Sequence, residues 1–258
     1  MTNDWQYSTY SKIYPEVKEN FPFTIPREHQ LETISEIKEA IDNGYKYIVL
    51  EAGTGTGKSV IAATLASMYE STYILTVTKQ LQDQYLNDFK DLGFRLVKGR
   101  GNFNCKKYHE DNLDNSCDEG RCVLEGYRCE YSLNRNHEKI TRENTCNYYF
   151  QKFVAMNSSV AISNYPYMFL ELNYVEDFKK RELMIFDEAH NLENTIMNQL
   201  KLEFKKKELK EYGIDFSMEL VNKLEHGNYT DWIRFIKRVQ NNYSRELDKI
   251  KNFKILPV

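Results

Sequence analysis

Two short stretches, EAGTGTGKS at 51–59 and LMIFDEAH at 183–190, carry the residue types that phosphate chemistry requires. In the first, Gly53, Gly55 and Gly57 allow consecutive backbone N–H groups to face an anion, with Thr54 and Thr56 between them. Lys58 adds a point charge, and the Ser59 hydroxyl is suited to Mg2+. The run fits a phosphate-binding loop except at its first glycine, where Ala52 stands. In the second, an apolar run brings Asp187 and Glu188 to the end of a strand, where ligands bind in open α/β sheets. Asp187 can hold Mg2+ through water, and Glu188 can orient or deprotonate the water that attacks a γ-phosphate. His190 is then a candidate link between nucleotide and nucleic acid. Either stretch alone has a plainer reading, as a glycine turn that caps a helix or as acids at a helix start. Together they point to an ATPase.

The five cysteines form a third group. Cys105, Cys117, Cys122, Cys129 and Cys146 are separated by 11, 4, 6 and 16 residues. This spacing lacks the C-x2-C knuckles of most structural zinc sites. An iron–sulfur cluster needs four thiolates and tolerates irregular spacing. On spacing alone both metals stay open, with one cysteine to spare in a four-thiolate site. His109 and His137 lie nearby and read as solvent-facing loop residues.

Such groups need a scaffold to position them. Residues 28–42 put Leu31, Ile34, Ile37 and Ile41 on one helical face, and Asn43-Gly44 supplies a stop. YKYIVLEA (45–52) predicts a strand running into the glycine loop, and VIAATLASMY predicts the helix after it, the order that opens a parallel α/β sheet. TYILTVT and KQLQDQYLNDFKDL predict a second βα unit, with Leu81, Tyr85, Phe89 and Leu92 along one side of the helix. From residue 99 to about 145 the hydrophobic periodicity gives way to Asn, Asp, Gly, Arg and Cys, which marks an insertion. Regular structure resumes with a helix over NYYFQKFVAMN and strands over SVAISNY and ELMIF. Beyond residue 200 the chain is Lys-rich and predicts amphipathic helices, separated by Gly213 and Gly227.

A hydrophobic content of 41% and an aromatic content of 14% exclude a disordered chain. The net charge of −3 neither favours nor excludes nucleic acid, because basic residues can be confined to one groove. The N-terminus lacks a basic and apolar leader, and no apolar run is long enough to span a bilayer. The expectation is a cytoplasmic protein without membrane contact, in which structural disulfides are disfavoured.

AGTGTGKS with DEAH resembles superfamily two helicases, and the cysteine-rich insertion between them is similar to that of the XPD/DinG family of iron–sulfur DNA helicases. IPREHQ resembles that family's adenine-contacting element and carries Arg27 and Gln30; TVTKQLQDQYLNDF resembles its first DNA-contacting motif. KGRGNFNC, CNYYFQKFVA and SNYPYMF match the segments that flank the cluster and precede the acidic strand. The likeness covers nearly all of residues 20–195.

The resemblance implies an α/β P-loop NTPase with a RecA-like parallel sheet in two parts, residues 1–98 and 147–198. An iron–sulfur insertion would occupy 99–146 and a partial, helical, arch-like domain 199–258. It implies ATP, Mg2+ and a [4Fe–4S] cluster as cofactors. Arg27, Gln30, Gly53, Thr54, Gly55, Thr56, Gly57, Lys58, Ser59 and Asp187 would hold nucleotide and Mg2+, with Lys58, Asp187, Glu188 and His190 serving catalysis. Cys105, Cys129 and Cys146 match cluster ligands, and Cys122 is preferred as the fourth because Cys117 sits in a polar loop that leaves it free. The implied function is a 5′-to-3′ ATP-dependent helicase on single-stranded or forked DNA, with a role in repair. Arg100, Lys106, Lys107, Arg121 and Arg128 would meet phosphates, and Phe103, Tyr108 and Tyr127 would stack on bases. The family supplies arginines from a second RecA-like domain, expected here from a separate chain or from further polypeptide. Two alternatives stand beside this reading: a nucleotide-dependent DNA-binding module without unwinding activity, and a zinc-stabilised ATPase acting on RNA or protein.

Overall fold

The computed structural model describes residues 13–110, 115–126, 129–133, 140–201 and 203–253. The chain divides into two compact units, Met1–Gln199 and Leu200–Val258.

The first unit opens with helices α1 (Pro15–Asn20) and α2 (Gln30–Asp42). Helix α2 stops where the sequence predicts, with Gly44 just beyond it at φ 88°, a left-handed conformation open to glycine. After the phosphate loop come α3 (Lys58–Ser67), β1 (Thr72–Thr76), α4 (Lys79–Asp88) and the two-residue β2 (Arg95–Leu96). Thr78 caps α4 by accepting from the Leu81 N–H. Among its described residues the cysteine-rich segment carries a 3-10 turn at Arg100–Asn102 and the short helices α5 (Lys106–Glu110) and α6 (Arg121–Leu124), with an antiparallel bridge between Asn104 and Ser116. The expectations placed on Tyr127, Arg128 and His137 fall outside the described residues. Regular structure then continues through α7 (Asn147–Met156), β3 (Val160–Asn164), α8 (Tyr165–Leu170), a π turn at Glu171–Val175, β4 (Leu183–Phe186) and α9 (Leu192–Leu200).

The four strands form one parallel sheet in the order β2-β3-β1-β4. Alternate residues of β1 serve opposite faces. Tyr73 and Leu75 pack with Ala155, Tyr165 and Met168, whereas Ile74 packs with Ala63, Ala66, Tyr85 and Phe89. With both faces covered, every residue of β1 is buried, which is why its sequence reads as an unbroken run rather than an alternating one.

One expected strand is absent from the sheet. No residue of 46–51 joins a ladder among the described residues, and Tyr47 and Val49 are 92% and 91% exposed. The β-forming composition of YKYIVLEA is real, but strand preference becomes structure only where a neighbouring edge supplies backbone partners.

The second unit contains α10 (Lys206–Glu211), α11 (Met218–His226) and α12 (Tyr229–Phe253). Its own core gathers Leu209, Ile214, Leu224 and Phe235, with Phe204 and Phe216 packed against them. No described helix of either unit is long and apolar enough to cross a membrane.

Candidate functional site

The phosphate loop is held by the segment before α2. The Arg27 guanidinium donates to the Gly55 carbonyl, and the Gln30 side-chain amide donates to the Thr56 carbonyl at 2.9 Å. Gln30 in turn accepts from the Arg27 N–H at 2.8 Å, so the two residues act as one brace. They were expected at the base of a nucleotide; in the structure their side chains fix loop carbonyls. Gly57 has φ 83° and faces the Gln30 amide so closely that any β-carbon would collide with it. The loop is further closed by Thr56, whose hydroxyl donates to the Gly53 carbonyl at 2.9 Å. Lys58 folds its ammonium back onto the carbonyls of Ala52 and Gly53, at 3.1 and 3.2 Å. Phosphate oxygens are the stronger, charged acceptors for the same donor.

Asp187 follows β4 directly and is anchored by its N–H to the Leu75 carbonyl at 2.9 Å. Burial raises its carboxyl above the usual range, while the nearby Tyr85 hydroxyl and the charge of Lys58 pull the other way. The charge of the loop lysine thus reaches the acid at the strand end. Glu188 adopts a left-handed backbone, φ 57°, uncommon outside glycine, and its side chain is partly exposed. His190 is exposed and lies 3.3 Å from the Glu188 carboxylate through Nδ1.

Two tyrosines complete this centre, and neither stands out in sequence. The Tyr85 hydroxyl is buried without a hydrogen bond of good geometry, yet it faces Ser59 and Asp187; burial first, then the Asp187 charge, pushes its pKa well up. Tyr165 donates to the Asp187 carbonyl at 2.6 Å. A buried hydroxyl left between a serine and an aspartate suits a site completed by a hydrated cation, and Ser59 with Asp187 would be the residues to hold Mg2+.

Behind β3 lies a buried ionic group. Lys152 of α7 donates to both Glu171 oxygens at 2.7 Å and to Asp177 at 2.7 Å, with Lys152 and Glu171 side chains each only 2% exposed. Burial alone would lower the lysine's pKa, but the bonds to Asp177 and Glu171 outweigh it and the net shift is upward. The Tyr148 and Tyr167 hydroxyls meet beside it at 3.1 Å. A lysine within the apolar NYYFQKFVA helix was the one sequence signal for this group.

All five cysteines line one small cavity, together with Arg100, Lys106, Lys107, Tyr131 and Tyr149. Cys105, Cys117 and Cys146 are buried, Cys122 and Cys129 half-buried. The premise that Cys117 lies free in a polar loop is overturned: it is 2% exposed and its sulfur lies 3.5 Å from that of Cys146. The N–H of Cys117 bonds the Phe103 carbonyl at 2.7 Å and that of Cys105 bonds the Asn115 carbonyl at 2.8 Å, which turns both chains inward. Sharing a proton with Cys117 pulls the Cys146 thiol down and pushes the Cys117 thiol up. Gly120 leaves the space between sulfurs open, since a β-carbon there would stand 3.4 Å from Cys122 Sγ and 3.7 Å from Cys105 Sγ. Among the described residues no three side chains meet in single-ion geometry. The donors are nonetheless five thiols, the ligand type that iron–sulfur clusters use, beside the cation Arg100. Arg100 stacks on Tyr148 and Tyr149, whereas Lys107 pairs with Glu130 and Arg121 with Glu125.

A glycine loop opening a helix beside an acidic strand end, on a parallel sheet, defines a nucleotide-phosphate site of the P-loop type. Residues 24–217 match the family described as "Type III restriction enzyme, res subunit". The chain belongs to this family. Its relatives include the ATP-dependent DNA helicase YoaA of Haemophilus influenzae, 27% identical over 72% of this chain and 36% of the relative. Another is the probable ATP-dependent helicase MJ0942 of Methanocaldococcus jannaschii, 26% identical over 70% of this chain and 31% of the relative. The chain thus spans about a third of the length of these relatives. A solved structure of a truncated XPD aligns over 83% of this chain and 76% of its own, with a TM-score of 0.48 and 15% identity.

Proposed function

We propose that this chain is the nucleotide-binding motor portion of an ATP-dependent DNA helicase that acts on single-stranded or forked DNA with 5′-to-3′ polarity. The observation that carries the reading is the phosphate loop beside the acidic strand end, with the charge of Lys58 reaching Asp187 and Tyr85 facing both Asp187 and Ser59. Lys58 binds the β- and γ-phosphates, and the loop N–H groups orient them. Ser59 and Asp187 hold Mg2+, which when bound offsets phosphate charge. Glu188 orients the attacking water and takes its proton, and His190, touching Glu188, reports nucleic acid to the site. Arg27 and Gln30 keep the loop in register for the nucleotide.

The cysteine cavity supports a [4Fe–4S] cluster on Cys105, Cys129 and Cys146 with either Cys122 or Cys117. The cluster's contribution would be structural, tying the insertion to α7. Arg100, Lys106, Lys107 and Arg121, with Phe103 and Tyr108, are the proposed strand contacts.

Hydrolysis by the family needs arginines from a second RecA-like domain, worth orders of magnitude in rate. This chain alone is therefore expected to bind ATP–Mg2+ and turn it over slowly. Single-turnover hydrolysis with and without single-stranded DNA tests the reading, with Glu188→Gln as control. Binding should persist in the variant while the rate falls about 100- to 10,000-fold; an unchanged rate would remove Glu188 from the mechanism, and fast turnover by the chain alone would refute the motor-portion reading.

A further inference from the structure

We infer that the free edge of β2 and the cavity beside it form a docking site for an extended acidic peptide segment of a partner protein, which pairs with the strand backbone and sets carboxylates on Arg95 and Arg142. Strand β2 is the outer strand of the sheet, paired with β3 on one side and with no described residue on the other. In a parallel ladder, alternate residues of a strand bond a given neighbour. The Val97 N–H bonds the Ile162 carbonyl at 2.9 Å, so the N–H and carbonyl of Leu96 turn to the open side. The flanking groups of that set are closed by side chains. The Phe94 carbonyl accepts from the Arg95 guanidinium at 3.2 Å, and the Lys98 N–H donates to the Gln151 side chain at 2.9 Å. One residue that offers both backbone groups is what a hydrogen-bonded antiparallel pair requires.

A cavity of about 700 Å3 opens at this edge, a volume at which clefts hold ligands. Its walls come from both sides of the sheet. Leu86 of α4 belongs to the layer that packs on Ile74, whereas Phe150 and Val154 lie on α7, whose Ala155 packs with Tyr73 and Leu75. An apolar cleft between a helix on each face, beside an open strand edge, has the shape of an extended chain. Peptides that add to a sheet edge take affinity from the backbone and selectivity from side-chain pockets.

The charge of the partner follows from the lining. No acid lines the cavity, and its two charged side chains are Arg95 and Arg142. Neither bonds a carboxylate among the described residues: Arg95 holds the Phe94 carbonyl, and Arg142 lies over the Phe150 ring at 5.3 Å. The cations Lys98, Lys107, Arg121 and Lys152 are all paired with acids. A guanidinium is a planar fork that binds a carboxylate through two bonds. A phosphate fits the same fork, which makes single-stranded DNA the rival occupant. The open backbone pair of Leu96 and the aliphatic walls favour a peptide, since DNA brings no peptide backbone to a strand edge. The inference rests on the sheet edge and stands apart from the helicase reading.

Fluorescence anisotropy and hydrogen exchange on the full chain test it. The probe is a labelled peptide of about six residues, the length of a common strand, in which Glu alternates with Leu or Phe. It should bind saturably. The Leu96 amide should then exchange about 10-fold more slowly, while that of Val97, already bonded, changes little. A peptide with Gln in place of Glu should bind about 10-fold more weakly. The double variant Arg95→Glu with Arg142→Glu, two exposed positions, should lose the Glu peptide and gain one carrying Lys instead, with protection of Thr72–Thr76 reporting an intact sheet. Absence of saturable binding, equal binding of the Gln peptide, an unprotected Leu96 amide, or no reversal in the double variant would each overturn the inference. So would displacement of the peptide by an equal concentration of oligothymidylate, which would give the site to DNA. Leu96 protection that rises with this chain's own concentration, without peptide, would give it to a second copy and overturn the inference as well.

Discussion

The hydroxyl of Tyr165 donates to the carbonyl of Asp187 at 2.6 Å, joining the first residue of α8 to the acid that ends β4. The ring also stacks near Phe169 and Phe186, with centroids 6.0 and 5.9 Å away. Removing the hydroxyl should therefore loosen the acid without disturbing the core. Tyr165→Phe is expected to cost about 1 kcal/mol of stability in urea unfolding. It should reduce single-turnover hydrolysis more than ATP affinity.

Asp187 gives a pH dependence of defined sign. Because burial raises its carboxyl in the fold, the unfolded chain loses this proton first as pH rises. Stability is fully present below the ordinary carboxylate value and is lost as pH climbs through the folded one. Asp187→Asn should thus raise the melting temperature of the nucleotide-free protein at neutral pH and leave it unchanged in strong acid. The same variant should lose the stabilisation that ATP–Mg2+ gives the parent.

The Lys152 group makes a different prediction. Breaking one partner of a buried ion pair strands the others, and Lys152→Met should destabilise the first unit by about 3–5 kcal/mol. Replacing Lys152 and Glu171 together by apolar residues should recover much of that loss. Urea unfolding of the single and double variants separates the two cases.

For the cysteines, protein purified without oxygen should be brown and carry about four irons per chain. Serine at Cys105, Cys129 or Cys146 should remove the iron. Of Cys117→Ser and Cys122→Ser, one should keep it, and that one identifies the spare thiol. Colourless protein with stoichiometric zinc would support the zinc-stabilised alternative.

Much of the sheet was legible because its strands are short apolar runs bounded by turn residues, and α2, α4 and α7 follow hydrophobic periods, whereas α3 is apolar almost all round. The site acids and the lysine were legible because phosphate chemistry admits few substitutes at Lys58 and Asp187. What escaped was tertiary. Tyr85 reads as one more apolar position of an amphipathic helix, and only the fold turns its hydroxyl toward Ser59 and Asp187. Glu171 and Asp177 acquire meaning from Lys152, which is distant in sequence. Cys117 looked free because its neighbours are polar, whereas its N–H bonds the Phe103 carbonyl and its thiol the Asn104 carbonyl, which turns it inward. The 45–52 strand was misplaced for the opposite reason, since its composition favours a strand but no described residue pairs with it.

The central claim is that Lys58 and Asp187 form one ATP–Mg2+ site, and calorimetric titration with a slowly hydrolysed ATP analogue and Mg2+ tests it most directly. One nucleotide should bind per chain, and Lys58→Ala should weaken binding by about 10- to 100-fold, the value of a lost charge-assisted contact. Omitting Mg2+ should weaken the parent but have little further effect on Asp187→Asn. No binding by the parent, or binding unchanged in Lys58→Ala, would contradict the account.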